Sequence, residues 1–131
     1  MKPAILFIDL QGDFLRSPSL EPSAGCVVEG AVRLLDRART LSIPLVHVWT
    51  TVDPQDDRRM PHWKAGRKWM CVEGTEGHKT PGALLPLPSE SVIHKTFFTA
   101  FSGEGLGRTL EGLKADTWTS RTTFSMSAAT R

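Results

Sequence analysis

Apolar residues are arranged along this chain in two alternating modes. Uninterrupted runs occupy residues 4–8 and, broken only by His47, residues 45–49. Runs without polar relief read as strands buried on both faces, which places them in the middle of a parallel sheet. Between them Val28, Val32, Leu35 and Ala38 recur at helical spacing, with Leu34 and Leu41 widening the stripe. Arg33, Asp36, Arg37 and Arg39 take the opposite side, as an amphipathic helix requires. Pro44 forbids continuation of that helix. The pattern predicts a strand over 3–9, a loop over 12–25 marked by Pro18, Pro22 and several serines, a helix from about Val27, and a strand over 45–49. Two strands joined by such a helix run parallel with a right-handed crossover.

Residues 51–90 follow no period and are rich in proline and glycine. That is long for a structureless loop inside a compact domain, so a functional role or a short hidden helix is expected there. Residues 91–95 read as a third strand. Leu106, Leu110 and Leu113 then mark a helix over 105–115, whose length Gly107 and Gly112 weaken. After Thr117 the character changes. Residues 118–131 contain seven Ser or Thr, two Arg and no Val, Ile or Leu, where the strand–helix rhythm calls for a fourth apolar strand. The expected division is therefore a domain over 1–117 and an atypical tail over 118–131, disordered or read from a shifted frame. The fold class expected is α/β, a three-layer Rossmann-like domain with a parallel sheet whose C-terminal half is missing.

A chain of 131 residues is one domain by the length prior, and its 40% hydrophobic and 23% charged content is ordinary. Sixteen basic against fourteen acidic residues, with no basic block, leaves no nucleic-acid footprint. No apolar run is long enough for a membrane span, and no signal-peptide core is present at the start. Cys26 and Cys71 make no disulfide framework. A cytoplasmic protein acting on a small molecule, without nucleic-acid or membrane partners and able to form a homo-oligomer, is the expectation.

The richest chemistry lies where the first run stops. Ile8 is followed by Asp9-Leu10-Gln11-Gly12-Asp13-Phe14. Ligands of open α/β sheets sit beyond the carboxyl ends of the strands, so Asp9 stands where such folds place a reacting group. An isolated Asp at this point more often caps the following loop. Lys95 ends the third strand in the same way, and its ammonium is expected to meet the Asp9 carboxylate at one sheet edge. Such a pair can activate a thiol, the carboxylate taking its proton and the cation stabilising the thiolate.

Three segments carry a resemblance. Asp9-x-Gln11-x-Asp13-Phe14, the turn Gly74-Thr75-Glu76-Gly77, and the run from Val92 through Lys95 to Ala100-Phe101 are similar, in that order, to the motifs of the isochorismatase-like cysteine hydrolases. The resemblance covers residues 3–117. It implies hydrolysis of a small amide or other C–N bond through a thioester, with Asp9 as acid/base and Lys95 as its catalytic partner. It also implies a cysteine after a fourth strand, which this chain lacks, so the chain is expected to be inactive. Isochorismatases of the same family do without the cysteine and use the aspartate as a general acid on a vinyl ether, which is the alternative activity. A non-catalytic remnant acting through association is the other.

Cys26 and Cys71 do not match the family's cysteine position and read as small apolar fillers. Nicotinamidases of the family hold a divalent ion with an Asp and two His. Here Gln55 stands where a partner of Asp53 would need to be His, and His62 and His78 lack ligand spacing, so no metal and no other cofactor is expected. The long loop brings His62, Trp63 and Trp69 together in sequence. With Phe14 they suit the wall of a small apolar pocket, and Phe14 and Trp63 are the candidate substrate contacts.

Overall fold

The structure is a computed structural model that describes residues 2–101, 103–122 and 126–130. Strand β1 (Pro3–Ile8) leads through a one-turn helix α1 (Gly12–Leu15) and a loop into helix α2 (Ala24–Thr40). Strand β2 (Leu45–Thr50) is followed by the long connection, which contains α3 (Pro61–Ala65) and a 3₁₀ turn (Gly82–Leu84). Then come β3 (Ser91–Lys95), α4 (Glu104–Gly112), β4 (Thr117–Thr122) and β5 (Met126–Thr130). The sheet order is β3-β2-β1-β4-β5, with the first four parallel and β5 antiparallel to β4. No helix among the described residues is long and apolar enough to cross a membrane.

The alternation of β1 explains the three layers. Ile5 and Phe7 face α2, packing with its Val27, Ala31, Leu35 and Ala38. Ala4 and Leu6 face the other way, and with Val46 and Val48 of β2 they pack on Leu106 and Leu110 of α4. Both faces of a parallel sheet are thereby covered, as unbroken apolar strands demand. The buried stripe of α2 is rotated from the one expected. Val28, Val32 and Leu34 are only half-buried and Leu41 is exposed, while the small side chains of Ala31 and Ala38 face the sheet. Residue size decides this, since alanines let the helix axis approach the sheet closely.

The long connection is anchored at several points. Val52, Met60, Trp63 and Cys71 form a satellite core with Phe14, and Val52 bridges Val72 as a short parallel pairing. Leu84 of the 3₁₀ turn joins the α2 side of the main core.

One expectation needs correction. With the C-terminal half of the sheet missing and the tail atypical, the far side of β1 was expected to be poorly covered. Instead β4 runs along all of β1, with Pro3 opposite Thr117 and Ile8 opposite Thr122, and β5 pairs with β4 from Thr117–Thr130 to Arg121–Met126. The free donors and acceptors of a buried strand require backbone partners whatever side chains those carry. A segment rich in threonine is well suited to the extended conformation. The rest of the tail expectation, over 123–125 and residue 131, lies outside the described residues.

Candidate active site

Asp9 follows the last residue of β1 with a positive φ of 58°. This left-handed conformation is uncommon for a residue with a side chain, and Asp tolerates it better than most. Its amide donates to the Val48 carbonyl, so the chain leaves the sheet at a fixed angle. The carboxylate is 7% exposed.

Lys95 ends β3, and β2 lies between β3 and β1. Its ammonium therefore reaches across a strand to meet Asp9, and Nζ lies 3.0 Å from Asp9 Oδ2. Thr50, at the end of the intervening strand, joins the two. Its hydroxyl donates to Asp9 Oδ1 at 2.8 Å and accepts from Lys95 Nζ at 3.0 Å. The Phe97 carbonyl accepts from the same ammonium at 2.9 Å. Three hydrogen-bond acceptors thus surround the three protons of Lys95, and both carboxylate oxygens of Asp9 have a donor. A buried ion pair is tolerable only with its remaining hydrogen bonds satisfied in this way.

Gln11 supports this arrangement from beneath. It is fully buried, and its amide group makes three hydrogen bonds. Oε1 accepts from the Thr50 amide at 2.8 Å, while Nε2 donates to the carbonyls of Thr50 at 2.9 Å and His78 at 2.8 Å. The glutamine holds the end of β2 against the 74–78 turn and so fixes where the Thr50 hydroxyl points. Asp13, the third polar residue of the motif, is turned elsewhere. Its Oδ1 accepts from Arg16 Nη2 at 2.8 Å and its Oδ2 from the Cys71 amide at 2.7 Å. A Cβ on Gly77 would lie 2.1 Å from Asp13 Oδ2, so that turn position admits no side chain without displacing the carboxylate.

Asp9 is exposed on one side to a cavity of about 340 Å³. Phe14 and Trp63 form part of its wall, with ring centroids 6.2 Å apart. Met60 and Met70 add thioether surface, and His62 stacks on Phe98 at 4.9 Å. Lys95 does not line this cavity but sits behind Asp9, against a smaller recess beneath α4. The four residues singled out in the sequence thus fall into one neighbourhood. Gln11 stood in the motif without a role assigned to it, and Thr50 did not stand out, because threonine is a common strand residue. The signal that would have found Thr50 was a third strand ending in a polar side chain.

The two thiols lie in contrasting settings. Cys71 is fully buried, and burial, followed by the carboxylates of Asp13 and Asp9, pushes its thiol up to about 12. Cys26 is exposed on the first turn of α2. The candidate metal ligands are separately engaged. Asp53 Oδ1 accepts from the Gln55 amide, His62 stacks on Phe98, and His78 Nε2 lies 2.8 Å from the Thr51 hydroxyl, which His94 Nδ1 approaches to 2.7 Å. Among the described residues no group of three or more His, Cys, Asp or Glu could hold a metal ion. The divalent ion of nicotinamidases therefore has no fitting donor set here, and no chemistry is routed through one.

Residues 3–119 match the family model described as the isochorismatase domain. The chain belongs to the isochorismatase family. Among solved structures of this family's fold, an isochorismatase family protein from Desulfovibrio vulgaris is similar at a TM-score of 0.76 and 29% identity, covering 89% of this chain and 64% of its own. N-carbamoylsarcosine amidase from Thermoplasma acidophilum shares the fold at a TM-score of 0.77 and 23% identity, with 93% and 68% covered. Nicotinamidase/pyrazinamidase from Bacillus subtilis does so at 0.76 and 23%, with 93% and 71% covered. Two further relatives of the family are covered over only 56% of their length. No curated protein matches the chain.

Proposed function

We propose that Asp9 and Lys95 are the acid/base pair of a hydrolase site for small amides or related C–N bonds, and that the substrate occupies the cavity walled by Phe14 and Trp63. The observation that carries this reading is the Asp9 carboxylate, held by Lys95 and Thr50 and exposed only towards that cavity. A carboxylate fixed in this way can take a proton from an attacking group and return it to a departing nitrogen. The cation behind it keeps the pair's charge balanced while the proton moves. The family's chemistry adds a thiol nucleophile, and neither Cys26 nor Cys71 is positioned to be one. The chain on its own is therefore a site that binds an amide and turns it over slowly or not at all.

The test combines binding and turnover. Titration of the chain with benzamide and other small amides, followed by tryptophan fluorescence, should show binding that Asp9→Asn weakens, while ammonia release stays at background. Failure of every small amide to bind would reject the reading. Turnover that survives replacement of both Cys26 and Cys71 would remove thiol chemistry, and turnover lost on Cys71→Ser would make Cys71 the nucleophile. Cleavage of a vinyl ether, in the manner of isochorismatases, would replace the amide reading if it depended on Asp9.

A further inference from the structure

The cavity beside Asp9 has a charge pattern that the acid/base pair does not explain. Asp9, Asp13 and Glu21 all line it, and among the described residues no lysine or arginine does. Two of these carboxylates are answered by cations, Asp9 by Lys95 at 3.0 Å and Asp13 by Arg16 at 2.8 Å. Glu21 is exposed and has no hydrogen-bond or ion-pair partner among the described residues. The cavity therefore carries one uncompensated negative charge on its solvent side. The rest of the wall is mainly aromatic and thioether, from Phe14, Trp63, Phe98 and Met60, with the His62 imidazole stacked on Phe98 and the hydroxyls of Ser17 and Ser19. The faces of aromatic rings attract cations through their quadrupole. Ring faces and Glu21 favour ligand charge of the same sign.

We propose that this cavity selects amides bearing a cationic ammonium group away from the scissile carbonyl, with Glu21 as the charge partner, and rejects carboxylate-bearing analogues. The inference rests on the reading of the site as amide-binding and narrows its substrate class. A ligand of this kind places its neutral carboxamide at Asp9 and its ammonium between the rings and Glu21. A carboxylate in the second position would lose hydration without meeting a lysine or arginine among the described residues and would face Glu21 directly, so it is disfavoured twice. The volume of about 340 Å³ admits a molecule the size of a substituted benzamide.

The experiment is calorimetric titration of the full chain, at low salt, with three benzamides of near-equal shape: 4-(aminomethyl)benzamide, 4-ethylbenzamide and 4-carbamoylbenzoate. The cationic amide should bind about tenfold more tightly than the neutral one, and the anionic one about tenfold more weakly. In Glu21→Gln the cation-to-neutral ratio should fall to about threefold, the share left to the rings. In Glu21→Lys the preference should reverse towards 4-carbamoylbenzoate. Equal binding of the three ligands, a ratio unchanged by Glu21→Gln, or a wild-type preference for the anion would overturn the inference. If the neutral amide binds and Asp9→Asn weakens it while the charge series is flat, the amide site stands and only the charge selection falls. If none of the three binds, both fall together.

Discussion

Lys95 and Asp9 are held by a hydroxyl as much as by each other, and that gives the residue scale its sharpest test. Removing Lys95 leaves a carboxylate buried without its cation, a change that costs about 3–5 kcal/mol. Adding Asp9→Asn to Lys95→Met should return part of that loss, so the double variant should unfold at higher urea than Lys95→Met alone. Thr50→Val keeps the shape of the side chain but leaves one oxygen of Asp9 and one proton of Lys95 unpaired, at about 1–3 kcal/mol. Thr50→Ser should restore most of it. A second test concerns thiols. The fully buried Cys71, pushed up to about 12, should resist a disulfide reagent that titrates the exposed Cys26, so native protein should report one thiol and unfolded protein two. At this scale Asp9 and Lys95 were legible because each ends an apolar run. Thr50 and the role of Gln11 were not, because what distinguishes them is how many buried backbone and side-chain groups they satisfy, a property of the assembled sheet.

At the scale of elements, α2, β2 and the segment before β3 are joined by Glu90. Arg39 of α2 binds both its oxygens, at 2.7 and 3.0 Å, and His47 of β2 lies 2.8 Å from Oε2. Burial alone would raise the Glu90 carboxyl, but the hydrogen bonds from Arg39, the Leu87 amide and His47 outweigh it and hold it at about 2. Its contribution to stability is therefore complete above the ordinary carboxylate range and is lost as pH falls towards 2. Burial lowers the His47 imidazole, against the raising pull of Glu90, so the folded state favours its neutral form. That contribution is complete above about 6.5 and is lost as pH falls through the lowered value. Both effects have the same sign. The urea midpoint should fall from pH 7 to pH 3, and Glu90→Gln should lower it at pH 7 while flattening its decline below pH 4.5. The first three strands, α2 and α4 were legible from the apolar pattern. The single turns α1 and α3 were not, since four or five residues cannot display a helical period. Nor was the face of α2, which follows side-chain volume more closely than hydropathy.

For the whole molecule, parallel order and crossover followed from the two apolar runs and the helix between them, and the sheet bears out the α/β class. What was not legible was the partner of β1 on its far side. Hydropathy reports burial of side chains, whereas strand pairing is made by the backbone, so a threonine-rich segment with a tolerable strand alternation gave only a weak sign of lying beside the core strand. Deleting residues 117–131 should strip β1 of that partner and leave a long apolar edge, a template for pairing between chains. Size-exclusion chromatography should then show association that the intact chain lacks, and hydrogen exchange should show the β1 amides losing protection. An intact chain that associates equally would assign β4 no protective role.

The Asp9–Lys95 ion pair stands on the ends of strands, while the cavity wall comes from α1, the turn after it, α3 and the segment after β3. Mutation can therefore act on the two with little crosstalk. A lineage carrying this sheet could exchange Glu21, Trp63 or Phe98, and with them the lining of the cavity, while the strand ends keep the geometry of Asp9 and Lys95. Conversely, a change at position 11 or 50 would disturb the Asp9–Lys95 geometry in every descendant, whatever its cavity wall had become.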